Sequence, residues 1–222
     1  GKPMKKKEKI RKAKRKGTLS TILLMMILLA GLGVMLYPMV SDYWNSFHQT
    51  RAIADYDAIV AELDDTDYEA LFAAAEEYNQ KLCELGAPFS GHEKIEELYY
   101  DVLDVAGNGI IGHIAIPKIN VSLPVYHSTS DAVLNIAVGH LEGSSLPIGG
   151  EGRHSVLSAH RGLPSAKLFT DLDRMEKGDI FTVTVLNRIL TYEVDQILIV
   201  EPTQMEALNV TDGRDYCTLL TC

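Results

Sequence analysis

The chain has no CxxC pair, and its three cysteines, Cys83, Cys217 and Cys222, are too few and too scattered for a disulfide framework or a zinc knuckle. Internal repeats, low-complexity tracts and a glycine-rich phosphate loop are also missing, which sets aside solenoids and P-loop folds. Basic residues are scarce outside one place. The first seventeen residues hold ten of the 21 Lys and Arg, whereas the rest carries 11 basic against 29 acidic residues, a formal charge of −18. Phosphate binding needs clustered Lys and Arg, so nucleic acid is not expected as a partner. The acidity reads as a solvated surface.

Charge of either sign is absent from Thr18 to Ser41. At a helical rise of about 1.5 Å per residue, roughly 20 apolar residues cross a hydrocarbon core of about 30 Å, and Leu19 to Val40 supplies that length. The run is longer than a usual signal-peptide core and no small-x-small cleavage site follows it, so it reads as an anchor. The basic cluster before it fixes the amino terminus in the cytoplasm and the remainder outside, with Tyr37, Tyr43 and Trp44 at the outer interface. The expected organisation is a basic cytoplasmic tail over 1–17, a transmembrane anchor over 18–40, a helical extension over 41–106 and a β domain over 107–222.

The extension reads as two helices between Ser41 and Leu85, broken at Asp64-Asp65. Thr66-Asp67-Tyr68-Glu69 has the form of a capping box. Tyr68, Leu71, Phe72, Ala75, Tyr78 and Leu82 recur at helical spacing, with Gly86 as the C′ glycine. Cys83, in the last turn, is expected to be half-buried and inert. Ala87-Pro88-Phe89-Ser90-Gly91 is a loop, because Pro88 disfavours helix at Ala87. From Ile110 the pattern becomes β: Ile110–Ile116, Val121–Tyr126, Ser155–His160, Phe181–Leu186, Ile189–Val200 and Tyr216–Cys222 are predicted strands, with a hairpin turn at Asn187-Arg188. Prolines at run ends suggest a closed or nearly closed barrel.

The last strand delivers Cys222 to its carboxyl end. Side-chain period 2 turns Cys217 to the other face, beside Leu219, as a small core residue. A thiol with a pKa of about 8.5 needs a partner that favours the thiolate. His160, at the end of Ser155-Val156-Leu157-Ser158-Ala159-His160, is the first candidate. His140 is its competitor, with a structural hydrogen-bonding role as its alternative reading. His48, His92, His113, His127 and His154 read as ordinary surface or loop histidines. Arg161 should diverge from His160, as neighbours on a strand do.

Several ordered motifs together resemble the sortase family: Ile116-Pro117-Lys118-Ile119-Asn120-Val121, Leu123-Pro124-Val125-Tyr126-His127, Gly139-His140 with Ser145-Leu146-Pro147-Ile148-Gly149-Gly150, Ser158-Ala159-His160-Arg161-Gly162-Leu163-Pro164 and Thr218-Leu219-Leu220-Thr221-Cys222. The His-Arg-Gly-Leu-Pro form and the two-helix extension resemble the pilus-building class C. The fold class implied is mainly β, a sortase-type β-barrel with an N-terminal transmembrane helix and a two-helix extension, its closing strand absent from this chain.

The resemblance implies a cysteine transpeptidase of the cell membrane that cuts LPXTG signals of pilin or surface proteins between Thr and Gly, Cys222 as nucleophile and His160 as general acid and base, with no metal or cofactor. A pilin lysine would resolve the acyl-enzyme. Attachment to peptidoglycan and a non-catalytic, membrane-tethered binding module are the other readings. The resemblance also implies an oxyanion-stabilising arginine on the strand after Cys222, beyond this chain, which therefore reads as an incomplete copy. It further implies a lid at Ala87, Pro88 and Phe89, with alanine where the family pattern has an aspartate latch.

Overall fold

The computed structural model describes residues 2–85, 89, 91–201, 204–211 and 213–222, with side chains from Thr18 onward except at 205 and 206. A single helix, α1, runs over Lys2–Val60 with Pro38 inside it. The expected anchor and first extension helix are one continuous helix, with nothing at residue 41 that caps or breaks it.

The break falls where expected, after Val60, and α2 follows over Asp65–Glu84. Its capping box is Asp64 with Asp67, not Thr66 with Glu69. Asp64 Oδ1 accepts from the Asp67 N–H at 2.9 Å, and Asp67 Oδ2 accepts from the Asp64 N–H at 3.1 Å. The same reciprocal device operates two residues earlier, because a carboxylate suits the positive end of a helix as well as a hydroxyl does. The expected C′ residue Gly86 lies outside the described residues. A 3-10 turn, His92–Ile95, leads into the short α3, Glu96–Asp101.

Seven strands make a mainly-β, nearly closed barrel: β1 Ile110–Ile116, β2 Val121–His127, β3 Val138–His140, β4 Arg153–Ser158, β5 Ile180–Val185, β6 Arg188–Glu193 and β7 Asp215–Leu220, with α4, Asp131–Leu134, before β3. Their order is β6-β5-β1-β2-β3-β4-β7. β2 pairs parallel with β3 and β4 parallel with β7; the other neighbours are antiparallel. The predicted hairpin is β5–β6. The edge strands β6 and β7 approach through side chains, the Tyr192 hydroxyl donating to Asp215 Oδ1 at 3.3 Å.

The run Ile189–Val200 is only half strand. Beyond Glu193 the last rungs join Val194 to Gly178 and Asp179, after which β5 offers no partner. Ile197, Leu198, Ile199 and Val200 are left exposed. β3, three residues long, was not among the predicted strands, because so short a run carries too little periodicity.

α1 joins the barrel core through Tyr56. Its hydroxyl donates to the Ile111 carbonyl at 3.2 Å and accepts from the Leu186 N–H at 2.9 Å, so one buried oxygen ties α1 to β1 and to the β5–β6 turn. Next to it Gly112 lets β1 and β5 approach: a Cβ there would lie 2.3 Å from the Thr184 carbonyl oxygen. Tyr56→Phe should strand two buried backbone groups and cost about 1–3 kcal/mol. Urea unfolding measures this, and an unchanged midpoint would contradict the assignment.

Candidate active site

The site begins with strand register. β4 and β7 lie side by side from Arg153↔Asp215 to Ser158↔Leu220. Their pairing continues past the strand ends, the Ala159 N–H donating to the Leu220 carbonyl at 3.2 Å and the Thr221 hydroxyl to the Ala159 carbonyl at 2.9 Å. Continued in the same register, the next matched positions would be His160 and Cys222, on one face with backbones about 5 Å apart. Cys222 is exposed and His160 partly so. An imidazole beside an accessible thiol can accept its proton and return it to a leaving group.

The other cysteines lie elsewhere. Cys217 is on the opposite face and packs with Leu219 against the core. Its thiol is enclosed, and burial, with the Asp215 carboxylate adding to it, pushes its pKa up and keeps it unreactive. Cys83 is exposed, not half-buried. Asn79, one turn earlier, is the last fully buried position of α2, so the thiol lies beyond the covered stretch with Arg153 Nη1 3.2 Å from its sulfur.

His140 is fully buried and held on every side. Its Nε2 lies 2.8 Å from the Ser145 carbonyl oxygen and 3.1 Å from the Ser144 hydroxyl, and its Nδ1 lies 3.0 Å from the Tyr99 hydroxyl. It has no path to a substrate. Two histidines expected on the surface are buried instead, both inside strands. His154 links β4 to β7 and to the segment before it, Nε2 lying 2.7 Å from Thr218 Oγ1 and Nδ1 2.9 Å from the Asn209 carbonyl oxygen. His127, paired with His140 across β2 and β3, packs edge-on to Tyr99 with ring centroids 4.7 Å apart, and burial lowers its pKa. Polar partners distant in sequence make the inward His154 tolerable, whereas both ring nitrogens of His127 are buried without a hydrogen-bond partner. His113 lies 3.3 Å from Asp57, and His48 packs on Trp44 at the exposed side of α1.

Arg161 lies in a bend rather than on a strand and pairs with Asp173 at 3.3 Å. Of the expected lid, Ala87 and Pro88 lie outside the described residues. Phe89 has a left-handed backbone, φ 59, and sits against Gly143, where a Cβ would be 3.0 Å from its Cα. The β3–β4 register carries Gly143 toward the amino end of β4, away from His160. One structural residue was not read from the sequence: Asn79 receives the Leu146 N–H at 2.7 Å and donates to its carbonyl at 3.3 Å, fastening α2 to the loop between β3 and β4. A lone amide in the apolar stripe of α2 was the available signal. Among the described residues no group of three His, Cys, Asp or Glu is placed to hold a metal ion.

Burial lowers the pKa of His140 to about 4; the Ser145 contact opposes this and His127 adds to it. In the unfolded chain the ring takes its proton near pH 6.5, so between about pH 6.5 and 4 only the unfolded state binds it. This contribution is complete above that window and falls as pH drops through it, by about 1.4 kcal/mol per pH unit. Denaturant midpoints from pH 7.5 to 4.5 should therefore decline, with His140→Asn flattening the slope by about one proton. Parallel curves for the two proteins would contradict it.

Comparison with known proteins agrees with this geometry. The sortase domain family model matches residues 114–222. Sortase A of Streptococcus agalactiae serotype III (strain NEM316) is 30% identical over 116 residues, 51% of this chain and 47% of that protein. Sortase D of Bacillus subtilis (strain 168) is 31% identical over 111 residues, 50% of this chain and 53% of that one. The chain thus spans about half the length of these curated relatives.

Solved structures align further. Sortase C1 of Streptococcus agalactiae has a TM-score of 0.74 at 46% identity, covering 78% of this chain and 89% of that one. Sortase C of Streptococcus pneumoniae gives 0.69 at 41%, covering 78% and 87%. Sortase C of Clostridium perfringens SM101 gives 0.64 at 36%, covering 78% and 89%. With the barrel, the paired strand ends and these likenesses in agreement, the chain belongs to the sortase family.

Proposed function

We propose that this chain is the catalytic part of a membrane-anchored cysteine transpeptidase that cleaves an LPXTG-like sorting signal between Thr and Gly and passes the acyl group to a pilin lysine. The observation that carries the proposal is the parallel register of β4 and β7 up to Ser158↔Leu220, which, continued by two residues, reaches His160 and Cys222. Likeness to sortase C structures supports the pilin assignment, one of them described with pilin substrate specificity and one solved with a C-terminal cell wall sorting motif.

The chemistry balances without cofactor or energy input. The Cys222 thiolate attacks the Thr carbonyl carbon, the Thr–Gly amide bond breaks, and protonated His160 gives its proton to the departing glycine amine. The thioester keeps the acyl group activated. A lysine amine then attacks it, His160 takes the surplus proton, the C–S bond breaks and Cys222 is restored. One amide is broken and one made.

Anchoring fits α1, whose stretch from Thr18 has a mean hydropathy of 2.5 with none of its apolar window buried. Tyr37, Tyr43, Trp44 and Phe47 stand exposed where the outer interface would be. The orientation proposed is amino terminus in the cytoplasm and barrel outside.

Incubating the protein with an LPXTG peptide and a lysine-bearing pilin should give a hydroxylamine-sensitive thioester and then a new isopeptide bond. Cys222→Ala should abolish both, and His160→Ala should slow them by about 10²–10⁴-fold. Product formation that survives Cys222→Ala would refute the proposal, and a product formed only with a cell-wall amine would move it to peptidoglycan attachment.

A further inference from the structure

α1 faces the barrel along a stripe at helical spacing: Asp42, Asn45, Gln49, Ala52, Tyr56 and Val60. The end of the stripe nearest Val60 is apolar and packs into the core. The other end is polar, and each of its three side chains bonds a backbone group of a loop. Asp42 Oδ1 accepts from the Lys167 N–H, Asn45 Nδ2 donates to the Ser165 carbonyl and Gln49 Nε2 donates to the Ile136 carbonyl, each at 2.7 Å.

Those loops border the His160–Cys222 pair. Ser165 and Lys167 belong to the segment that leaves His160 and is drawn back to it at Phe169, whose N–H donates to the His160 carbonyl at 3.1 Å. Ile136 precedes β3, and the antiparallel register Gly139↔Ser158, extended, puts Ala137 opposite His160. The far half of the 160–170 segment is set by the core, where Ala166, Leu168 and Phe169 are buried. The half nearer His160 contains Gly162 and Pro164, forms no strand, and is tied besides by the Gly162 N–H on Thr170 Oγ1 and the exposed Arg161–Asp173 pair. Asp42 is also the first charged residue after the apolar run, so the turn that holds this loop is the turn at which α1 would leave the membrane.

We propose that Asp42 and Asn45 are positioning residues, clamping the 160–170 loop from the membrane-exit turn of α1 and so holding the His160 ring against the Cys222 thiol. The proposal rests on the reading of His160 and Cys222 as the reacting pair. The three polar bonds are otherwise a costly way to dock a helix, since an apolar stripe would serve for docking alone. Their donors and acceptors select the backbone on both sides of His160. The anchor would then be part of the active-site wall, and the geometry of the reacting pair would depend on its presence.

The test uses the full chain carrying Cys83→Ser in phospholipid nanodiscs. Alkylation of Cys222 by iodoacetamide is followed by mass spectrometry from pH 5 to 9, with hydrogen exchange of residues 160–170 measured in parallel. Asp42→Ala with Asn45→Ala should slow alkylation at neutral pH by about threefold or more, toward the His160→Ala rate, because the thiolate loses its imidazole partner. Exchange in 160–170 should rise. Asp42→Asn keeps an acceptor oxygen and should behave as the parent. A double variant with the parental pH profile overturns the proposal, whether or not its loop exchanges faster. A His160→Ala profile equal to the parent's refutes instead the pairing on which the proposal rests.

Discussion

Parallel pairing of β4 with β7 is the constraint on which the rest depends. The two strands are joined by a long connection, so their contact must offset a loop-closure cost that local pairing would not incur. His154 contributes to that, buried between Thr218 and the Asn209 carbonyl, and the bonds from Ala159 and Thr221 carry the ladder past the last formal pair. A slip by one residue would turn Cys222 away from the face that His160 shares in this register. Register therefore decides whether the two can face each other.

The histidines show how burial sorts one residue type into different roles. His140 and His127 stand opposite each other across β2 and β3, enclosed with Tyr99, and burial keeps both rings neutral. His154 spends both ring nitrogens on strand and loop partners. His160 lies past the end of its strand and is partly exposed. An exposed ring can exchange protons and a buried, fully bonded one cannot do so without cost.

Most of the strands, the β5–β6 hairpin and the opposite facing of Cys217 and Cys222 were legible in the sequence, because period-2 alternation acts locally, but β4 and β7 end at Ser158 and Leu220, two residues before the expected His160 and Cys222. The boundary at Asp64-Asp65 was legible too, but the choice of capping pair was not: two overlapping acidic and hydroxyl patterns compete there, and the tertiary position of α2 selects one. Tertiary partners also account for what was misread. Ile189–Val200 has strand-like composition throughout and becomes strand only where β5 lies beside it. His127 and His154 look like surface residues until Tyr99 and Thr218 are brought to them. Asp42, Asn45 and Gln49 likewise carry no signal until the loops they hold are in place.

The barrel and the long helix are thus parts of one arrangement, in which Tyr56 fixes α1 to the core and parallel pairing aligns the carboxyl ends of β4 and β7. The most direct test of that arrangement is a cross-link. In a chain carrying His160→Cys and Cys83→Ser, mild oxidation should join position 160 to Cys222 in a disulfide, identified by mass spectrometry of the linked peptides, because neighbouring parallel strands bring matched residues within the required Cα range. No such linkage, with the protein folded and both thiols open to alkylation, would mean that the strand ends do not lie together and would contradict the account.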